Sequence, residues 1–238
     1  MEKLLIIFFT LSTFYSSAST KADHSTWDNL LHTYVSSKGK VNYKGLKSQD
    51  LKISSYLKEL QEHYPSSDWS RKEKMAYYIN LYNAYTVKIV LNNYPVKSVR
   101  DIKLSGQDIW KAKLVKTGSK VYSLGYVENE ILRKMNDPRV HFAINCASFS
   151  CPKLLNHAFT AANLETNLKS LTSGYINNPA HNQITNQSVK ISKIFEWYAK
   201  DFISDDSSLI DFLNEYSKVK IASNAKIEYI PYNWTLNE

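Results

Sequence analysis

Cys146 and Cys151 are the only two cysteines of the chain, and they sit inside Asn145-Cys146-Ala147-Ser148-Phe149-Ser150-Cys151-Pro152. Two chemistries fit that run. An even cysteine count in a chain bound for an oxidising compartment favours a disulfide. So short a ring would contribute ~2 kcal/mol and would pin the loop. The other chemistry makes Cys146 a nucleophile, with the amides of Ala147 and Ser148 as an oxyanion site. His141 is the nearest base in sequence. If residues 140–144 form a strand, however, His141 shares a face with Asn145 and Cys146 points away. Five residues at about 3.3 Å each then put the imidazole roughly 16 Å from the thiol. The disulfide is therefore the expectation.

Two acids lie on apolar stripes. Glu128 shares a helical face with Leu124, Val127 and Ile131, and Asp201 shares one with Ile194, Trp197, Tyr198 and Phe202. Buried acids are rare unless paired. Each could be a general acid or base tuned by desolvation. Each could equally anchor an arginine such as Arg133 or Arg139, the commoner outcome. Asn80 and Asn83 lie three apart and share a helix face. A buried carboxamide without partners costs roughly 1–3 kcal/mol, so both must hold loop backbone or a ligand, and backbone is the more frequent partner. Asn145 and Ser148 could add polar groups beside the cysteine loop. That loop is expected to be an ordered turn seated near Asn80 or Asn83. The six histidines show no paired spacing and no Cys-x-x-Cys occurs, so no metal site is expected. With Gly-x-Ser-x-Gly and phosphate-cradling glycine loops also missing, no cofactor is expected.

Elements that could position these residues can be read along the chain. Ser25 and Asp28 form a capping pattern for a first helix, residues 36–49 read as a loop, and 50–63 as an amphipathic helix. Ser70 and Glu73 make a capping box for the longest helix, 71–93, which Pro95 follows. From Met75 to Leu91 only Asn80, Asn83, Thr86 and Lys88 are not apolar or aromatic, the pattern of a central, buried helix. Segments 112–116 and 119–123 read as a hairpin. Helices are expected at 124–134, 161–176, 193–203 and 208–217, with a Ser208/Asp211 cap on the last. Strands are expected at 140–144, 188–191 and 226–232. The fold class is α+β: a predominantly helical single domain around a long buried helix, with a small mixed β-sheet.

Several stretches together resemble a known family. They are Trp27 through Gly39-Lys40-Val41-Asn42-Tyr43, Ala76-Tyr77-Tyr78-Ile79-Asn80-Leu81-Tyr82-Asn83-Ala84, Ser123 through Arg133, Arg139 through Pro152, Phe195-Glu196-Trp197-Tyr198 with Asp201-Phe202, and Tyr232 through Asn237. The pattern is similar to the domain of unknown function 547 family, which has exported bacterial members and plant and animal members with added regions. The resemblance implies a fold and a set of marked residues, not an activity. One departure stands out. The family pairs glutamate with histidine ahead of Ile131-Leu132-Arg133, where this chain has Glu128-Asn129.

The N-terminal residues read as a leader. Lys3, the apolar run Leu4 to Tyr15 and the small residues Ser16-Ser17-Ala18 fit a secretory signal peptide over 1–18. Its apolar core falls short of the roughly 20 residues a spanning helix needs. The expectation is a periplasmic or secreted protein with a single globular domain over 19–238 and no integral membrane segment after cleavage. Six glycines and six prolines argue against disorder, whereas 17 tyrosines and five tryptophans suit a core or cleft whose aromatic groups also hydrogen-bond. The net charge of +8 is scattered, with no basic arm, so nucleic acid is not an expected partner. An unknown small molecule or envelope polymer is. Two functions remain open. One is a hydrolase or acyl transferase on an envelope or extracellular substrate, with Asn80, Glu128, His141, Cys146 and Asp201 in one cleft. The other is a non-catalytic binding or structural module in which these residues form an internal hydrogen-bond network.

Overall fold

The computed structural model describes residues 21–238. The expected leader, 1–18, lies outside the described residues. In chain order the α-helices are α1 Ser25–Tyr34, α2 Tyr43–Leu46, α3 Asp50–Glu62, α4 Arg71–Asn93, α5 Leu124–Tyr126, α6 Leu164–Ile176, α7 Ile194–Trp197 and α8 Leu209–Tyr216. The strands are β1 Lys103–Leu104, β2 Gln107–Asp108, β3 Lys113–Thr117, β4 Lys120–Ser123, β5 Gln183–Ile184, β6 Ser188–Ser192 and β7 Lys226–Ile230. β1–β2 and β3–β4 are separate antiparallel hairpins. The third sheet is mixed, with β5 antiparallel and β7 parallel to β6. The α+β class holds, although the strands fall into three small sheets. No helix among the described residues is long and apolar enough to cross a membrane.

Helix α4 organises the rest. Ser70 and Glu73 close the capping box, satisfying two of the donors every helix start leaves orphaned. From Met75 to Leu91 all but Tyr78 and Lys88 are buried, so the helix buries nearly its whole circumference in one apolar core running from Trp27 to Leu236. Its two asparagines each hold a loop by both ends of the carboxamide. Asn80 Nδ2 donates to Phe159 O at 2.8 Å, and Phe159 N donates back to Asn80 Oδ1 at 3.0 Å. Asn83 Nδ2 donates to Ala143 O at 3.0 Å while accepting from Asn145 N at 2.8 Å.

Several local expectations are corrected. Residues 140–144 are not a strand: Pro138–Phe142 is a 3-10 helix, started by Pro138 and capped by the Asp137 side chain on Arg139 N. Val140, His141, Phe142, Ala143 and Ile144 are all buried, so alternation in type carried no inside–outside information. Within 36–49, residues 43–46 are helical, with the Asn42 side chain capping Gly45 N. Asp28 does not cap α1; it accepts from Ala158 N at 2.8 Å, and Asp23 takes the Ser25 amide instead. The 124–134 helix widens after its first turn into a π-helix over Val127–Leu132. The 193–203 helix breaks after Trp197 into a 3-10 turn over Ala199–Asp201.

Asn83→Ala should lower stability in urea unfolding by roughly 2–5 kcal/mol, because it strands a buried carbonyl and a buried amide at once. Ser70→Ala should cost only about 1 kcal/mol. Equal losses for the two variants would mean that Asn83 does not clamp the loop.

Candidate functional site

Beside α4 the cysteine loop forms one wall of a cleft of about 230 Å³. Glu128, His141 and Cys146 all open onto it, and Asp201 stands directly behind His141. Asn80 and Asn83 do not line it; they are spent on backbone. Asn145 lies within the loop, donating to Pro152 O at 2.7 Å and accepting from Ala147 N at 2.9 Å. Ser148 is fully buried under the thiol.

The loop's shape corrects two expectations. Cys146 and Cys151 are free thiols, not a disulfide. Ala147 takes a left-handed φ of 61°, uncommon for a residue with a Cβ. That turn sends the Cys146 side chain toward Ser148 Oγ at 3.1 Å and Tyr232 Oη at 3.3 Å. The Cys151 sulfur stays behind, accepting Cys146 N–H at 3.0 Å. The expected oxyanion pair is also changed, since the Ala147 amide is already taken by Asn145. His141 reaches the cleft because a 3-10 turn rises only about 2 Å per residue and the chain then doubles back at Ala147, so extended-strand spacing does not apply.

The electrostatics single out one sulfur. Cys151 beside it, with Ser148 and Tyr232, lowers the Cys146 thiol to about 7 against the opposing effect of burial. Burial, reinforced by the charge on Cys146, pushes Cys151 well up. The thiolate therefore belongs on Cys146, which is half-buried and faces the cleft, while Cys151 is buried.

His141 Nε2 lies 2.7 Å from Asp201 Oδ2. Arg133 grips the same carboxylate with Nε at 2.6 Å and Nη2 at 2.8 Å. Burial alone would raise the Asp201 carboxyl, but the bonds from His141 and Arg133 outweigh it and hold it well below the usual carboxylate range. With Asp201 accepting from Nε2–H, the imidazole's acceptor lone pair sits on Nδ1. Tyr198 stacks on the imidazole at 4.1 Å between centroids, and the Arg133 guanidinium lies over the Tyr198 ring at 5.1 Å. Asn129, the departure from the family pattern, accepts from Arg133 Nη1 at 2.7 Å.

Glu128 is 6% exposed. The π-helix carries it, and such wide turns recur at functional sites. The Tyr198 hydroxyl donates to one carboxylate oxygen and Tyr82 Oη lies 3.3 Å from the other. The Trp110 indole N–H lies 3.2 Å from Tyr82 Oη. An indole can only donate, so the Tyr82 hydroxyl accepts there and turns its hydrogen to Glu128. Gly125 makes this possible: a Cβ there would lie 2.8 Å from Trp110 O.

Sequence reading missed the aromatic walls, Tyr82, Trp110, Trp197, Tyr198, Tyr232 and Trp234. Their signal was present as the excess of tyrosine and tryptophan, but composition does not say which rings converge. Tyr232 and Trp234 come from the C-terminal tail, which is laid along the cysteine loop by Phe149 N to Thr235 O at 2.7 Å, Ser150 N to Asn233 O at 3.1 Å and Asn237 N to Ala147 O at 3.2 Å.

Residues 66–176 match the family described as "Protein of unknown function, DUF547". The match supports the family resemblance and takes in Glu128, His141 and both cysteines, while Trp197, Tyr198, Asp201, Tyr232 and Trp234 lie beyond it. Neither a curated protein nor a solved structure matches the chain.

Unfolded without reductant, the protein should take up two equivalents of a thiol label by intact mass. In the native state iodoacetamide should modify Cys146 first, at a rate that climbs as pH rises through about 7, since the reactive form is the thiolate. A single bridged species, or preferential labelling of Cys151, would contradict the assignment.

Proposed function

We propose that the protein is an acyl-transfer enzyme or hydrolase with Cys146 as its nucleophile, His141 as the proton-transfer base and Asp201, held by Arg133, as the group that orients the imidazole. The observation that carries this reading is a thiol beside two hydroxyls, opening on the same cleft as a histidine that has one ring nitrogen on a carboxylate. That is the logic of an activated nucleophile with an oriented base.

The steps follow from the groups present. The Cys146 thiol passes its proton to His141 Nδ1, and the resulting thiolate adds to a substrate carbonyl carbon, whose oxygen takes the electron pair. The Ser148 and Tyr232 hydroxyls, 3.1 and 3.3 Å from the sulfur, are the polar groups beside the reacting centre. The carbonyl re-forms as the leaving group departs with a proton from His141, leaving a thioester on Cys146. A water or a second nucleophile then gives its proton to His141 Nδ1, attacks the thioester and releases the thiolate. On the reading of 1–18 as a cleaved leader, the substrate is an envelope or extracellular molecule. Against the module reading, the polar residues divide: Asn80, Asn83 and Asn145 are satisfied by the fold, whereas Cys146, His141 and Glu128 face the cleft.

A panel of p-nitrophenyl esters and thioesters tests the reading by intact mass. Wild-type protein should accumulate a single acyl adduct on Cys146, and Cys146→Ser should accumulate none. His141→Asn should acylate and turn over at least about 100-fold more slowly. An unmodified protein across the panel, or an adduct that persists in Cys146→Ser, would defeat the proposal.

A further inference from the structure

The two acids at the cleft are partnered unequally. Asp201 is matched by Arg133, but among the described residues Glu128 has no lysine, arginine or histidine within ion-pair distance. Arg133 directs three of its five N–H groups to Asp201 and Asn129. Tyr82 and Tyr198 each bond one oxygen of its carboxylate, and the Trp110 indole donates to the Tyr82 hydroxyl. A buried carboxylate on a cleft wall with no ion pair of its own is suited to taking a cation from outside.

The walls suit one. Trp110, Trp197, Trp234 and Tyr232 gather at the cleft, with Trp234 packed 5.7 Å from Trp110, 5.8 Å from Trp197 and 4.6 Å from Tyr232 between centroids. Trp197 is left 46% exposed, although burying an indole is among the larger apolar gains open to a folding chain. Aromatic faces around an anionic floor are the recognition chemistry of ammonium groups. Arg100 already lies over the Trp234 ring at 5.5 Å, which leaves Trp110, Trp197 and Tyr232 as the rings for a ligand. The cleft's 230 Å³ falls below the roughly 300–1,000 Å³ of sites for drug-sized ligands. That size fits an alkylammonium or a lysine-type side chain.

We infer that the cleft binds an organic ammonium ion, with Glu128 as its counter-charge and Trp110, Trp197 and Tyr232 as its walls. The inference rests on the acyl-transfer reading only in taking this cleft as the place where substrate binds; on that reading the amine is a substrate group held beside Cys146.

The test is titration of the purified protein with n-butylammonium and tetramethylammonium chloride at fixed ionic strength, read by tryptophan fluorescence and calorimetry, with n-butanol as the uncharged control. The expected result is saturable binding of the two cations, absent for butanol. Glu128→Gln should weaken it about tenfold or more. Trp197→Leu, at a half-exposed position that does not threaten folding, should weaken it about fivefold. No saturable binding, equal binding of butanol, or unchanged affinity in both Glu128→Gln and Trp197→Leu overturns the inference. If Glu128→Gln fails to fold, Trp197→Leu decides alone. Binding of the cations by a protein that never acylates at Cys146 would sink the enzyme reading and leave this one standing. Acylation without cation binding would do the reverse.

Discussion

The carboxamide of Asn83 is the contact on which the site depends. It takes the carbonyl of Ala143 and the amide of Asn145 from one face of a helix buried almost all round. That contact fixes the chain on both sides of Ile144, and so sets where the 3-10 turn ends and where the cysteine loop begins. His141 lies just before the clamp and Cys146 just after it. A carboxamide suits this task because it offers both donors and an acceptor on one planar group. A buried loop has no water to satisfy its backbone, so the clamp is a requirement of the interior as much as an ornament of the loop. Asn80 does the same for Phe159, one helical turn away.

The C-terminal tail completes what the clamp begins. Its backbone pairs with Phe149, Ser150 and Ala147, and Asn237 bridges Asn145 and Tyr43. The cysteine loop is thus held between α4 and the tail, and a left-handed Ala147 is tolerated because both neighbours over-determine it. The same strapping delivers the Tyr232 hydroxyl to the Cys146 sulfur and Trp234 to the cleft. Four aromatic residues of the cleft, Trp197, Tyr198, Tyr232 and Trp234, lie beyond the family match.

Three electrostatic units meet in the cleft and are kept distinct. Arg133, Asp201 and His141 form a balanced chain in which one carboxylate serves both an arginine and an imidazole. Cys146, Cys151, Ser148 and Tyr232 form a second unit, which loads the negative charge on one sulfur. Glu128 with its two tyrosines is the third, without an ion pair among the described residues. Tyr198 joins the first and third, since its hydroxyl bonds Glu128 while its ring packs on His141 and under Arg133.

What the sequence determined by itself was local. The capping boxes at Ser70 and Ser208, the 71–93 helix and its all-round burial, the 113–123 hairpin and the strands at 188 and 226 follow from capping chemistry and periodicity, which act over a few residues and survive in the fold. The residue types that meet at the site were legible too, because an acid on an apolar stripe or a carboxamide in a buried helix is conspicuous wherever it ends up. What only the tertiary structure decided was geometry between distant segments. Residues 140–144 read as strand, where the fold has a 3-10 turn over Pro138–Phe142, because Val140 to Ile144 are all buried, which erases the amphipathic signal that separates strand from helix. The two thiols stayed apart because Ala147 turns one of them toward Tyr232, 86 positions away. His141 came to share a cleft with Cys146 because Asn83 folds the chain between them, and a through-space hydrogen bond leaves no period in the sequence to read.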